Sequence, residues 1–128
     1  MTSTLTVTED ELQKDVAAFL EFILPEGCVF HHSPNEGKRH VSYINRLKKM
    51  GTKYGWPGLE LFCPANFTVS GMNEAIFIEL KAKKGHMNEN QRRMRDQIVE
   101  AGFPWAMCKS VEDVYSFLKT LVKLKAIM

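Results

Sequence analysis

The sequence predicts an α/β protein with a small mixed β-sheet flanked by α-helices, and three observations lead there. Residues 75–82 (AIFIELKA) carry apolar side chains on both faces of a strand, Ala75 and Phe77 on one and Ile76, Ile78 and Leu80 on the other, as in an interior strand covered from both sides. Two polar openings with N-cap chemistry, at Thr8 and Asn88, precede apolar residues at helical spacing. The segments then run helix, strand, helix, strand, strand, helix, strand, helix, the order of a layered α/β sandwich. A chain of 128 residues has room for one core and not comfortably for two, so residues 1–128 read as one domain.

Thr8 with Glu11 three residues on has the form of a capping box, so a helix is expected to start there. Leu12, Val16, Phe19, Leu20 and Ile23 form its apolar stripe. At about 100° per residue Glu9 falls within that stripe and Glu11 opposite it, so Glu9 faces inward unless it serves only the helix dipole. Pro25-Glu26-Gly27 stops the helix, residues 28–32 (CVFHH) read as a short strand, and residues 33–37 as a loop. Over residues 38–50, Val41, Ile44 and Leu47 recur every third position among basic residues, which predicts a short amphipathic helix. A glycine-rich approach, residues 51–58, leads to the strand 59–63, which Pro64 closes; a second loop, 65–73, leads to the central strand. After the basic turn Lys83-Lys84-Gly85-His86, Asn88 and Gln91 offer a second capping box, and the helix beyond presents Met94, Ile98 and Ala101 on one face. Gly102 should end it, residues 103–108 form a strand, and Ser110 opens a last helix running towards Ala126.

Composition narrows the function classes. Hydrophobic residues at 45% and charged residues at 25% fit an ordinary soluble protein, and no repeat or low-complexity tract is present. The formal net charge of +2 hides an uneven distribution: between Gly37 and Leu59 lie six basic residues (Lys38, Arg39, Arg46, Lys48, Lys49, Lys53) and no acid. Such a stripe attracts phosphates, or else is a solvated helix face. The three cysteines, Cys28, Cys63 and Cys108, are widely spaced in apolar segments and read as reduced core residues. A zinc site from Cys28, His31 and His32 fails on geometry, because neighbouring strand side chains point to opposite faces. The amino terminus lacks a basic n-region, and the apolar run at residues 16–24 is broken by Glu21 and far short of a ~20-residue span. The expectation is a cytoplasmic protein.

The central strand is where chemistry is expected. Glu79 and Lys81 share a face, one pleat apart. A carboxylate there can hold a hard divalent cation, and an ammonium beside it can orient a water or steady charge developing on a phosphate. The plainer alternative is a solvated ion pair at a strand end. Gln91, on the apolar side of its helix, is either the capping partner of Asn88 or a second polar group facing the same place.

Glu9 with Gln13, Asn35-Glu36-Gly37, Gly55-Trp56-Pro57-Gly58, Ile78-Glu79-Leu80-Lys81 and Gln91, in this order across nearly the whole chain, resemble the motifs of the virus-type replication-repair nuclease (VRR-NUC) family, a branch of the PD-(D/E)xK nucleases. The resemblance implies a restriction-endonuclease-like core and a Mg²⁺- or Mn²⁺-dependent endonuclease that cuts branched DNA such as four-way (Holliday) junctions. It also implies a homodimer in a bacterial or phage-infected cell. By the same resemblance Glu79 and the Leu80 carbonyl would bind metal, Lys81 would position or deprotonate the attacking water, Gln91 would hold Lys81 and the water, and Glu9 would act from behind or through a second ion. Lys38, Arg39, Arg46, Lys48, Lys49 and Lys53 would contact DNA phosphates.

One position departs from the pattern. Where the family carries a metal-binding Asp this chain has Gly58, which offers no side-chain ligand. Glu60, two residues on and on the same strand face, is one candidate substitute. The others are a naturally inactive homologue and a chain disabled by substitution, and a non-catalytic DNA-binding module is the rival function.

Overall fold

The elements follow one another in the expected order, with one short 3-10 turn added at Ala65–Phe67: α1 (Glu9–Ile23), β1 (Val29–His32), α2 (Val41–Lys49), β2 (Leu59–Cys63), β3 (Glu74–Leu80), α3 (Glu89–Glu100), β4 (Trp105–Cys108) and α4 (Val111–Leu118). The computed structural model describes residues 7–34 and 41–126. The strands form one sheet in the order β1-β2-β3-β4. The first three are antiparallel, and β4 joins β3 in parallel after crossing over through α3. A mixed sheet with helices on both faces is therefore the observed architecture.

Register sets what each face does. Leu59 pairs with Ile78 and Leu61 with Ile76, so these four point to one side, where they are fully buried with Val16, Leu20 and Ile23 of α1 and Val114 and Leu118 of α4. Each such aliphatic side chain contributes about 1.5–3 kcal/mol by leaving water. On the other side Phe77 packs with Met94 and Ile98 of α3. Apolar residues on both faces of residues 75–80 meant this two-sided burial, and β3 is the strand that both layers share.

Helix starts follow their caps. The Thr8 hydroxyl oxygen accepts from Glu11 N (3.1 Å), but its proton goes to the Glu11 carboxylate (3.0 Å), so the reciprocal half of the expected box is replaced by a side-chain pair. At Asn88 the box is complete, with Gln91 N donating to Asn88 Oδ1 (2.8 Å) and Asn88 N to Gln91 Oε1 (2.9 Å). Ser110 Oγ accepts from Asp113 N (3.0 Å) and starts α4.

Three expectations are corrected. The last helix ends at Leu118 and does not run towards Ala126, because the chain beyond pairs with the loop after β2: Val69 N donates to Leu121 O (2.9 Å) and Lys123 N to Phe67 O (2.8 Å). Inter-segment bonds there take the place of helical ones. The last strand begins at Trp105, two residues later than expected, while α2 forms as expected with Ile44 and Leu47 half-buried and Val41 68% exposed. The first strand begins at Val29, one residue later than expected, Cys28 making only an isolated bridge to Glu26.

Candidate active site

The C-terminal end of β3 gathers four polar residues from three elements. Glu79 lies on the Phe77 face and is only 7% exposed. The β2–β3 register, with Leu59 opposite Ile78, brings Gly58 opposite Glu79, where its backbone N–H favours the charged form of the Glu79 carboxyl. Gln91 Nε2 points to Glu79 Oε2 at 3.4 Å from the first turn of α3. Gln91 thus does both things its position suggested, its oxygen capping the helix and its nitrogen reaching the strand. Lys81 lies one residue past β3, its backbone N still donating to Cys108 O (3.0 Å). Its side chain is 13% exposed, and Nζ stands 3.8 Å from Glu9 Oε1 in the first turn of α1.

Electrostatics follow from that burial. Removal from water is the largest influence on Glu79 and pushes its carboxyl up to about 7; Lys81 pulls it down, the nearby Glu9 charge pushes it up and the Gly58 N–H pulls it down. Glu79 is therefore a buried acid for which the ammonium of Lys81 compensates only in part. A cation beside it would stabilise its charged form.

Around this cluster opens a cleft of about 700 Å³. Its walls are Glu9, Asp10 and Gln13 of α1, the end of β1 from His31 to Pro34, the approach 52–56 with Gly58, and the start of α3 at Asn88, Asn90 and Gln91. The Gly58 carbonyl accepts from Ser33 N (2.8 Å) and from His32 Nδ1 (2.9 Å), so Nδ1 carries the proton and Nε2 is left as the ring's acceptor. Nothing lies within 4 Å of where a β-carbon on Gly58 would sit. Among the described residues the buried amide nitrogen of Gln13 has no hydrogen-bond partner.

Glu60 is engaged elsewhere: its carboxylate is 3.5 Å from His31 Nδ1 and 3.5 Å from Ser33 Oγ, and it does not line the cleft. Among the basic residues, Lys53 lines the cleft, while Arg46, Lys48 and Lys49 are exposed in the last turn of α2. Lys38 and Arg39 lie outside the described residues. His32, Tyr54 and Asn90 are cleft residues that sequence reasoning did not assign to the site. Their only signal was adjacency to loops, because the carbonyl that orients His32 belongs to a residue 26 positions away.

No thiol serves the site. Cys63 and Cys108 are buried and pushed up to about 12 by desolvation, and Cys28 is raised by the same cause. Among the described residues no three His, Cys, Asp or Glu side chains converge as a ready metal cage. Glu79 is the buried carboxylate of the cluster, and Leu80 lies beside it at the cleft wall. No helix among the described residues is long and apolar enough to cross a membrane.

No family model matches this sequence, and no curated protein does. Solved structures do match it. One, described as a VRR_NUC domain protein, superposes with a TM-score of 0.61 at 20% identity over 91% of this chain and 92% of that chain. Another, described as a VRR_NUC domain, gives 0.55 at 17% identity over 88% of this chain and 96% of that chain. The sheet, its two helical layers and the cleft at the end of β3 are thus built on the fold of VRR_NUC domain proteins.

Proposed function

We propose that this chain is a nuclease domain that hydrolyses phosphodiester bonds in branched DNA with the help of Mg²⁺ or Mn²⁺. The observation that carries the reading is the convergence of Glu79, Gln91 and Glu9 on one cleft at the end of β3, with Lys81 paired to Glu9 behind them and Lys53 on the cleft wall. A buried carboxylate raised to about 7 and an open space at position 58 suit a hard ion held by one carboxylate and otherwise by water and phosphate oxygens, the usual Mg²⁺ arrangement. Such an ion supplies charge neutralisation on the phosphate and a more acidic water.

The chain's own residues do the rest. Glu79 anchors the charge, and Gln91 holds its carboxylate in place from α3. Lys81, its ammonium 3.8 Å from Glu9 on the cleft wall, orients the attacking water and stabilises negative charge in the transition state once the phosphate is seated. Lys53 and the exposed cations of α2 draw the DNA backbone to the cleft without reading its sequence.

Gly58 favours a second reading, a DNA-binding module whose cutting site has lost an acidic arm. Calorimetric titration with Mn²⁺, alongside cleavage of a four-way junction, separates the two. Heat of binding with Mn²⁺-dependent nicking supports the nuclease, and junction binding with neither supports the module. Absence of DNA binding overturns both.

A further inference from the structure

Trp56 is 38% exposed although its surroundings hold it firmly. Its ring meets Phe77 edge-to-face at 5.6 Å, and Phe77, itself only 7% exposed, is fixed between Met94, Ile98 and the ring of Phe103 at 6.2 Å. On the chain before it, Gly55 has φ +83° and lies so close to the start of α3 that a β-carbon there would overlap the Asn90 carbonyl. On the chain after it, Pro57 is fully buried. The tryptophan is thus clamped on both sides, and it lines the cleft that contains Glu79 and Gln91.

Tyr54, the other aromatic residue of the cleft wall, is already engaged. Its hydroxyl donates to Ile44 O (3.4 Å), and Lys48 Nζ stands 5.3 Å from its ring centre. Among the described residues no cation stands over the Trp56 ring. An aromatic surface that is rigid and wet is well suited to a flat apolar partner, because little side-chain entropy remains to be lost on binding. Lys53, three residues before it, also lines the cleft and can take a phosphate. The Asn90 side chain lines the cleft with no hydrogen bond of its own among the described residues, unlike those of Asn88 and Gln91, and an amide can pair with the edge of a base.

We propose that Trp56 is a stacking platform for an unpaired nucleobase next to the scissile phosphate, so that the site selects DNA carrying a single-stranded or unstacked nucleotide there. The inference rests on the DNA reading above. In a continuous duplex each base covers the faces of its neighbours, and only a single-stranded nucleotide, or one unstacked at a branch point or end, can offer a free face to the ring. Junctions, flaps and frayed ends meet this condition, while intact duplex does not.

The chain has two tryptophans, so Trp105→Phe leaves Trp56 as the sole indole reporter. This protein is titrated in metal-free buffer with a labelled duplex, the same duplex bearing a single-stranded arm, and an armed duplex whose arm is abasic. Anisotropy of the label reports binding, and indole emission reports stacking. Quenching by the base-bearing arm and not by the duplex or the abasic arm is the expected result. Trp56→Ala should weaken binding to the armed DNA about tenfold and leave duplex affinity unchanged, and Trp56→Phe should retain most of it. Anisotropy that rises with no change in emission overturns the platform and leaves DNA binding intact, as does a Trp56→Ala variant that loses affinity equally for both DNAs. If no DNA raises the anisotropy, the DNA reading fails and the platform with it.

Discussion

Glu79 links stability to pH. Its folded-state carboxyl is raised from 4.5 to about 7, so the native protein holds this proton more tightly than the unfolded chain does. The resulting stabilisation is fully present below pH 4.5 and is lost as pH rises through 7. A shift of this size corresponds to about 3 kcal/mol. Urea denaturation at pH 5 and pH 8 should show the decline, and Glu79→Gln should remove most of it. Gly58 makes the second residue-scale case. Gly58→Asp puts a carboxylate into open space opposite Glu79. Without an ion the variant should be less stable than the parent, through repulsion between like charges; with Mn²⁺ it should bind the ion at least tenfold more tightly and gain junction cleavage. Adding Lys81→Ala to Gly58→Asp should abolish the cleavage and spare the metal binding. Glu79 with Lys81 was legible in the sequence because a buried strand end bearing two charges is costly without a use. The contacts of Glu60 and His32 were not, since each depends on a partner from another strand.

At the scale of elements, α2 and α3 make contrasting contributions. Helix α2 has no fully buried residue and its cations are exposed, so they can be changed at little cost to the fold. Replacing Arg46, Lys48, Lys49 and Lys53 by glutamine should leave the denaturation midpoint within about 0.5 kcal/mol of the parent. The same change should weaken binding to every duplex alike and flatten its dependence on salt, as filter binding or anisotropy across a salt series would reveal. Helix α3 instead couples its start to the site. Asn88→Ala removes half of the capping box and should cost about 1 kcal/mol of stability. It also frees Gln91, so cleavage should fall further than the stability loss explains, and activity measured well below the melting temperature separates the two effects. The caps at Thr8, Asn88 and Ser110 and the helical stripes were visible in the sequence, because caps and helical periodicity are local. That α2 lies at the rim was not visible, since an amphipathic pattern does not say what covers it.

At the scale of the molecule, a two-fold substrate such as a four-way junction is matched by a two-fold protein. We expect a homodimer, and light scattering at micromolar concentration should return twice the 14.7 kDa chain mass. A mass of one chain would mean that each cut is made independently. Selection of DNA would then depend on what enters a single cleft.

The sequence by itself determined the element order, the interior strand β3 and the helix starts. All of these depend on neighbours within a few residues, through caps, turns and the periods of strand and helix. The tertiary structure decided which distant groups meet: Gly58 against Glu79 by strand register, Gln91 on the same carboxylate by the placement of α3, and Glu9 on Lys81 by the placement of α1. It also decided where α4 stops, because the chain beyond Leu118 is held by residues some fifty positions earlier. The physical reason is the same throughout. Local preferences are additive along the chain, whereas a buried charge takes its properties from side chains and backbone dipoles that only folding brings near it.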